Sequence, residues 1–326
     1  MRSKILLILF FVIFISSSYY INAQQLPVTN QYLLNKYALS PAYAGYKGRS
    51  EIFIGFRRQW AGISGTPKTS FANITMPLSE KAWLGGSIIS DQTDIFKNFY
   101  VSLSYTYQLQ ITTNQFIGFS LWGSARQNTI NLLNINVPDT DDPLIVNKQK
   151  LEGTGFNAGA GALYRTKNFD IGIVIPFLFL NKNKYGVGSE NNLMIIEREF
   201  YVHASYRFML NQYWQIQPIF IFRSTKNNIS CFDISSLVKY LNKYWLGLTY
   251  RNTSIMGLSA GGEILEGLVL SYTYEFSVGG YTNYFSGTNE ISLGYIFNIQ
   301  QKSKRNKRST PYPSFINYDY RYFQKK

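Results

Sequence analysis

The lone histidine, His203, stands two residues before Ser205. On a strand that spacing puts both side chains on one face. Hydrolytic use of such a pair needs a third, orienting carboxylate near the imidazole. In alternating strands the pairing is commonplace, and it reads as non-catalytic. The run "PDTDDP" (Pro138 to Pro143) offers Asp139, Asp141 and Asp142, hard oxygen ligands of the kind that suit Ca²⁺. It lacks the glycine and the closing glutamate of a helix-loop-helix calcium loop, so it reads as a solvated acidic turn. "GTGFNAGAGAL" (Gly153 to Leu163) has neither the full dinucleotide-loop spacing nor a following helical pattern. Small residues on a strand facing a crowded interior account for it better. The single cysteine, Cys231, permits no internal disulfide and reads as a small strand residue, and one histidine builds no metal cluster. The expectation is therefore a protein without enzymatic activity, cofactor or metal.

The elements that surround these residues are more informative. Arg2 and Lys4 precede an apolar run from Ile5 to Ile15, which is followed by Ser16 to Ser18 and a small-residue end at Ala23. Eleven apolar residues are too few to span a bilayer as a helix. Residues 1–23 read as a secretory signal peptide, with no cysteine at the cleavage point to make a lipoprotein. Beyond Ala23 the best apolar run, Ile171 to Leu180, is short and broken by Pro176. Yet 17% of the chain is aromatic and only 15% is charged. That balance suits an outer-membrane barrel with aromatic girdles better than a secreted soluble protein. The net charge of +14 is concentrated at the C-terminus, where Lys302 to Lys326 carries +7. A periplasmic tail of this kind suits an anionic protein or envelope polymer, and nucleic acid is not an expected partner.

Period-two alternation dominates the chain. Phe99, Val101, Leu103, Tyr105, Tyr107 and Leu109 share one face, opposite Tyr100, Ser102, Ser104, Thr106 and Gln108. Several segments hold the pattern for roughly ten residues, the length of a tilted membrane-crossing strand. The pattern predicts strands near 51–57, 69–76, 82–89, 98–108, 115–126, 154–165, 168–176, 198–208, 213–224, 229–238, 243–252, 255–263, 267–276 and 289–299. The long connections (Gln127 to Gly153, Phe177 to Glu197, Ser277 to Thr288) all fall at odd positions, and every even connection is short. This sorting predicts an all-β transmembrane antiparallel barrel of about 14 strands with both termini periplasmic. The expected organisation is a signal peptide (1–23), a periplasmic lead-in segment or plug (24–50), an outer-membrane barrel (51–301) and a basic periplasmic tail (302–326). Gly62, Gly65 and Pro67 predict a compact first outer turn with Trp60 as its packing anchor; the alternative is an interfacial-belt Trp beside an incidental turn.

Several stretches carry a family likeness: "QYLLNKYALSPAYAGYKGR" (Gln31 to Arg49), the Arg-x-Gln-Trp and Gly-x-Pro-x-Thr pattern of the first turn, "FDIGIVIPFL", "YWLGLTYRNTSIMGLSAGGEI" and "SGTNEISLGYIF". In order and spacing the sequence resembles the PorP/SprF family of type IX secretion and gliding-motility membrane proteins. The matching residues are Pro41, Ala42, Tyr43, Ala44, Gly45, Arg57, Gln59, Trp60, Gly62, Gly65, Pro67, Lys68, Thr69, Gly287, Glu290 and Tyr295. Ser40, Asn289 and Glu275 depart from the Asn, His and Asp usual in the family, which argues against giving them an indispensable role. The resemblance implies a non-enzymatic outer-membrane barrel that delivers or anchors secreted surface proteins, such as adhesins or gliding-related proteins. The partners it implies are a secreted surface protein with a type IX C-terminal sorting domain, periplasmic secretion-machine components and outer-membrane lipid. The alternative is a diffusion porin or small-solute transporter.

Overall fold

A computed structural model describes residues 27–132, 150–179, 181–183, 194–196, 198–225, 230–279 and 287–298. The signal peptide, the acidic Pro138–Pro143 turn and the basic tail lie outside them. Strands β1 (Ser50–Arg58), β2 (Lys68–Pro77), β3 (Ala82–Thr93), β4 (Phe96–Thr112), β5 (Gln115–Asn131), β6 (Lys150–Thr166) and β7 (Phe169–Ile175) form consecutive antiparallel pairs. After a separate small hairpin of β8 (Asn181–Asn183) and β9 (Met194–Ile196), the sheet resumes with β10 (Glu199–Tyr206) and its short continuation β11 (Phe208–Met209). It continues through β12 (Trp214–Thr225), β13 (Cys231–Tyr240), β14 (Tyr244–Arg251), β15 (Ile255–Leu265), β16 (Leu268–Ser277) and β17 (Thr288–Phe297). β10 pairs with both β7 and β12, and β1 pairs with β17 from Ser50↔Phe297 to Arg58↔Asn289. The sheet thus closes on itself. Counting β10 and β11 as one strand, the barrel has fourteen.

The alternation read from the sequence sorts the side chains as a membrane barrel requires. Leu103, Leu121 and Leu246 point outward and are 73%, 63% and 67% exposed, whereas Ser102, Ser104 and Thr106 on β4 are buried inside. No helix among the described residues is long and apolar enough to cross a membrane. All the long connections, 132–149, 176–198 and 278–287, leave one end of the barrel.

The rim differs from the sequence expectation. β3 runs on to Thr93 and meets β4 through only Asp94 and Ile95, where a longer connection was expected. β4, β5 and β6 each have 17 residues, more than a bilayer crossing needs. Past the hydrocarbon both faces of a strand meet water, so the apolar–polar alternation fades while the backbone ladder continues. Inside, the described part of the segment before β1 forms a plug. Three 3-10 turns, Gln31–Leu33, Lys36–Ala38 and Pro41–Tyr43, fill the lumen and supply its apolar core. Tyr32 and Leu33 pack on Ile219, Ile221, Leu237 and Trp245. Tyr37 and Ala44 pack on Trp83, and Ala42 and Tyr43 on Leu163.

Candidate functional site

The plug is short and irregular, so its main-chain groups cannot all pair with one another and the barrel wall must satisfy the rest. At the end with the long connections, the Asn30 amide donates to both carboxylate oxygens of Glu290 at 3.0 Å, and Asn30 Nδ2 donates to Glu275. Next, Asn73 Nδ2 donates to Gln31 Oε1 at 3.0 Å, and the Tyr32 and Tyr37 hydroxyls pair with Ser235 and Ser104, each at 2.9 Å. Nearer the short turns, Thr106 Oγ1 donates to the Pro41 carbonyl, and Gln108 Nε2 to the Ala42 and Ala44 carbonyls, all at 2.9 Å. Arg165 donates to the Tyr46 carbonyl at 2.8 Å. Gly45, with φ +78, lies against the Trp83 indole, where a Cβ would overlap the ring.

The path has a direction. Asn30 sits level with the start of β17, and Tyr46 leads to the start of β1 at the opposite end. β1 starts and β17 finishes at the short-turn end. The N-terminal flank does not stay there: Pro27 and Val28 line a cavity of about 80 Å³ beside Thr69, Phe71 and Arg223, towards the long connections.

Two charge systems hold the ends of the plug. The first is a buried ladder of alternating sign on β17, β1, β16, β14, β13 and β12. Arg57 bridges Glu290 (3.1 Å) and Glu275 (2.6 Å), Arg251 bridges Glu275 (3.3 Å) and Asp233 (2.9 Å), and Arg223 reaches Asp233 (2.9 Å). The second is centred on Asp170, which is fully buried and bound by Lys36 from the plug at 2.7 Å and by Arg207 at 3.3 Å. Burial pulls the Lys36 ammonium below its ordinary value, and the Asp170 carboxylate opposes that pull.

This arrangement holds a strap in a tube. His203 faces the Tyr43 hydroxyl at 3.4 Å through Nδ1, while Ser205 donates to Asp170 at 3.1 Å. The two side chains thus point to different partners. Among the described residues no group of three or more His, Cys, Asp or Glu side chains is placed to hold a metal ion.

The family model for the type IX secretion system membrane protein PorP/SprF matches residues 21–295. The chain belongs to the PorP/SprF family. No curated protein matches it. Among solved structures, the CymD monoaromatic hydrocarbon channel is 12% identical, with a TM-score of 0.50 over 84% of this chain and 94% of that one. The Ralstonia pickettii toluene transporter TbuX is 10% identical, with a TM-score of 0.49 over 81% and 93%. At such identities the likeness is one of fold. A closed β-barrel of a membrane family crosses a membrane with strands, and this PorP/SprF barrel belongs to the outer membrane.

The sixteen motif residues of the PorP/SprF barrel fall into three places. Pro41, Ala42, Tyr43, Ala44 and Gly45 are the lower half of the plug, where Ser40 caps the last 3-10 turn through Ala42 N at 3.3 Å. Arg57 and Glu290 are ion-paired, and Thr69 Oγ1 donates to Asp91 beside them at 2.6 Å. The rest are in or near the first turn, except Tyr295, which faces outward and is 47% exposed. The turn is fixed by its main chain: Gln59 N to Pro67 O (2.9 Å), Ala61 N to Gly287 O (2.8 Å) and Asp94 N to Gly65 O (2.9 Å). Gly62 and Gly65 have φ of 98° and 74°, and Lys68 opens β2. Trp60 is 39% exposed and has a positive φ of 50°.

Glu275 was set aside on sequence as a departure from Asp, yet it receives Arg57, Arg251 and Asn30. The departure preserves the charge, and charge is what the position uses. Asn30, Lys36, Asp170, Asp233 and Arg251 were missed altogether. Their signal was a charged or amide group at lumen-facing parity, or within the plug.

A pair of substitutions separates main chain from ring in the first turn. Trp60→Ala should leave abundance in the outer membrane and heat-modifiable gel mobility unchanged, at a cost within about 0.5 kcal/mol. Gly287 has φ +83, and a Cβ there would crowd the Glu275 carbonyl and the Tyr274 hydroxyl. Gly287→Ala should therefore lower the unfolding temperature in detergent by the equivalent of about 1–2 kcal/mol. The reverse order of effects would make the Trp60 ring the anchor of the turn.

Proposed function

We propose that this PorP/SprF barrel is a non-enzymatic component of type IX secretion that delivers or anchors secreted surface proteins at the cell surface. Adhesins and gliding-related proteins with a C-terminal sorting domain are its proposed clients. The observation that carries this reading is the occupied lumen. A diffusion porin needs a wide aqueous channel, and here residues 30–46 are tied to the wall all the way down. A protein that holds a partner needs a shaped surface and no through-path.

In this reading the long connections face outward and present the backbone-fixed first turn to the client. The short turns and the +7 tail face the periplasm, where acidic components of the secretion machine and outer-membrane lipid are the neighbours. Deleting the gene should remove one secreted protein, or a set of them, from the surface proteome, together with the adhesion or gliding that depends on it. Uptake of small hydrophilic solutes should hardly change. An unchanged surface proteome with a clear permeability defect would instead establish the porin or small-solute transporter.

A further inference from the structure

The outward face of the barrel carries a charge pattern that neither the plug nor client delivery uses. Arg58 ends β1 and lies directly across from Lys68 on β2. Lys68 is opposite Gln92 on β3, and Gln92 is opposite Lys97 on β4. Residues directly opposite share a face, so Arg58, Lys68 and Lys97 form one outward row across four strands. All three are exposed. None has an ion pair with a described residue. The nearby acids are turned elsewhere: Asp91 takes the Thr69 hydroxyl on the lumen side, Asp94 sits beside Gly65, and Glu152 pairs with Lys150.

Like charges directly across a strand pair destabilise it unless a counter-charge sits between them. The row also has a definite height. Below Arg58 the same face continues with Phe56, Ile54 and Ile52, which are 42%, 52% and 40% exposed. Below Lys97 it continues with Phe99 and Leu103, 39% and 73% exposed. These are lipid-facing side chains, so the three cations cap an apolar strip at the boundary next to the long connections. Cations at that height meet lipid headgroups, and long cationic side chains reach into the headgroup layer.

We propose that Arg58, Lys68 and Lys97 form a binding site for a phosphate-bearing lipid headgroup of the leaflet next to the long connections. The phosphate lies among the three cations, and the acyl chains run down the strip below them. The lipid neutralises the cross-strand repulsion and fixes the height of the first turn relative to the membrane. This goes beyond the delivery role and stands whether or not that role holds.

The test uses the full chain purified in a non-ionic detergent, with three probes: bis-phosphorylated lipid A, its dephosphorylated form and inorganic phosphate. The native protein should retain the phosphorylated lipid at least about tenfold better than the Arg58→Gln, Lys68→Gln, Lys97→Gln variant. The dephosphorylated lipid should bind both proteins alike, and millimolar inorganic phosphate should not displace the phosphorylated lipid. Lys68→Glu provides a second reading that needs no triple variant. It turns the repulsion with Arg58 into attraction, so it should raise the unfolding temperature in detergent while lowering retention of the phosphorylated lipid. Equal retention by native and variant proteins overturns the site. So does retention that ignores the lipid's phosphates, or displacement by inorganic phosphate alone.

Discussion

Removing residues 27–46 should turn a closed barrel into an open pore. Eight-stranded barrels are filled by their own side chains, whereas barrels of 16–18 strands leave an aqueous channel. Fourteen strands lie nearer the second case, and many of the inward side chains here are small: Ser102, Ser104, Thr106, Ser120, Ser259 and Ser292. The wall cannot close such a lumen unaided. The plug closes it with Tyr32, Tyr37 and Tyr43, all less than 5% exposed. In proteoliposomes the intact chain should pass small sugars hardly faster than protein-free vesicles, and the truncated chain should pass them at least about tenfold faster, as expected of an emptied barrel of this size. The plug also contributes apolar burial, so the truncated barrel must first show heat-modifiable mobility. Lys36→Ala combined with Tyr37→Ala and Tyr43→Ala is the milder version, leaving Asn30 and the upper ladder in place. If the intact chain already conducts as fast as the truncated one, the lumen is not closed in the membrane, and the main support for a delivery role is lost.

The barrel was legible in the sequence because lipid on one side and a polar lumen on the other impose period two on every crossing. Even the weakest patterns, at the first three strands and near 229–238, fall on β1, β2, β3 and β13. Legibility failed where that physical contrast fails. Thr93, Phe96 and Lys97 lie near the rim, where water reaches both faces, and the extension of β3 and β4 there left no periodic trace. The plug was open to guesswork from its position but not from its pattern. Three short 3-10 turns have no amphipathic repeat, and their partners are far along the chain: Asn30 meets Glu290 at a separation of 260 residues. The family likeness brought Arg57 and Glu290 forward as motif residues without saying that they touch. It also led away from Glu275, since an Asp-to-Glu departure looks like loosened constraint until the three groups converging on that carboxylate are seen.

Arg57 should be the single most costly side chain to remove from the wall. Its guanidinium serves two carboxylates through different nitrogens, Nη1 to Glu290 and Nη2 to Glu275, and all three groups are no more than 3% exposed. Arg57→Ala leaves Glu290 with only the Asn30 amide among its hydrogen-bond partners, and Glu275 with Arg251 and Asn30. Stranding buried charge in this way costs about 3–5 kcal/mol, to be read as a lower unfolding midpoint in detergent and a lower abundance in the outer membrane. Arg57→Lys should not rescue it, because one ammonium on a flexible stem does not reproduce a planar fork that reaches two acceptors at once. Replacing the arginine together with the carboxylate it alone neutralises, with Arg57→Met and Glu290→Gln, should recover most of the loss, because Glu275 and Asp233 then remain balanced by Arg251 and Arg223 and no buried charge is left uncompensated. The double variant tells an ion-pair role from a packing role: if it is as unstable as Arg57→Ala, the arginine acts through its volume. If Arg57→Ala itself costs less than about 1 kcal/mol, the ladder is solvated and behaves as surface pairs do. Because Asn30 hangs from the same two carboxylates, Arg57→Ala should also loosen the upper end of the plug, so leakage of small sugars should rise with the fall in stability.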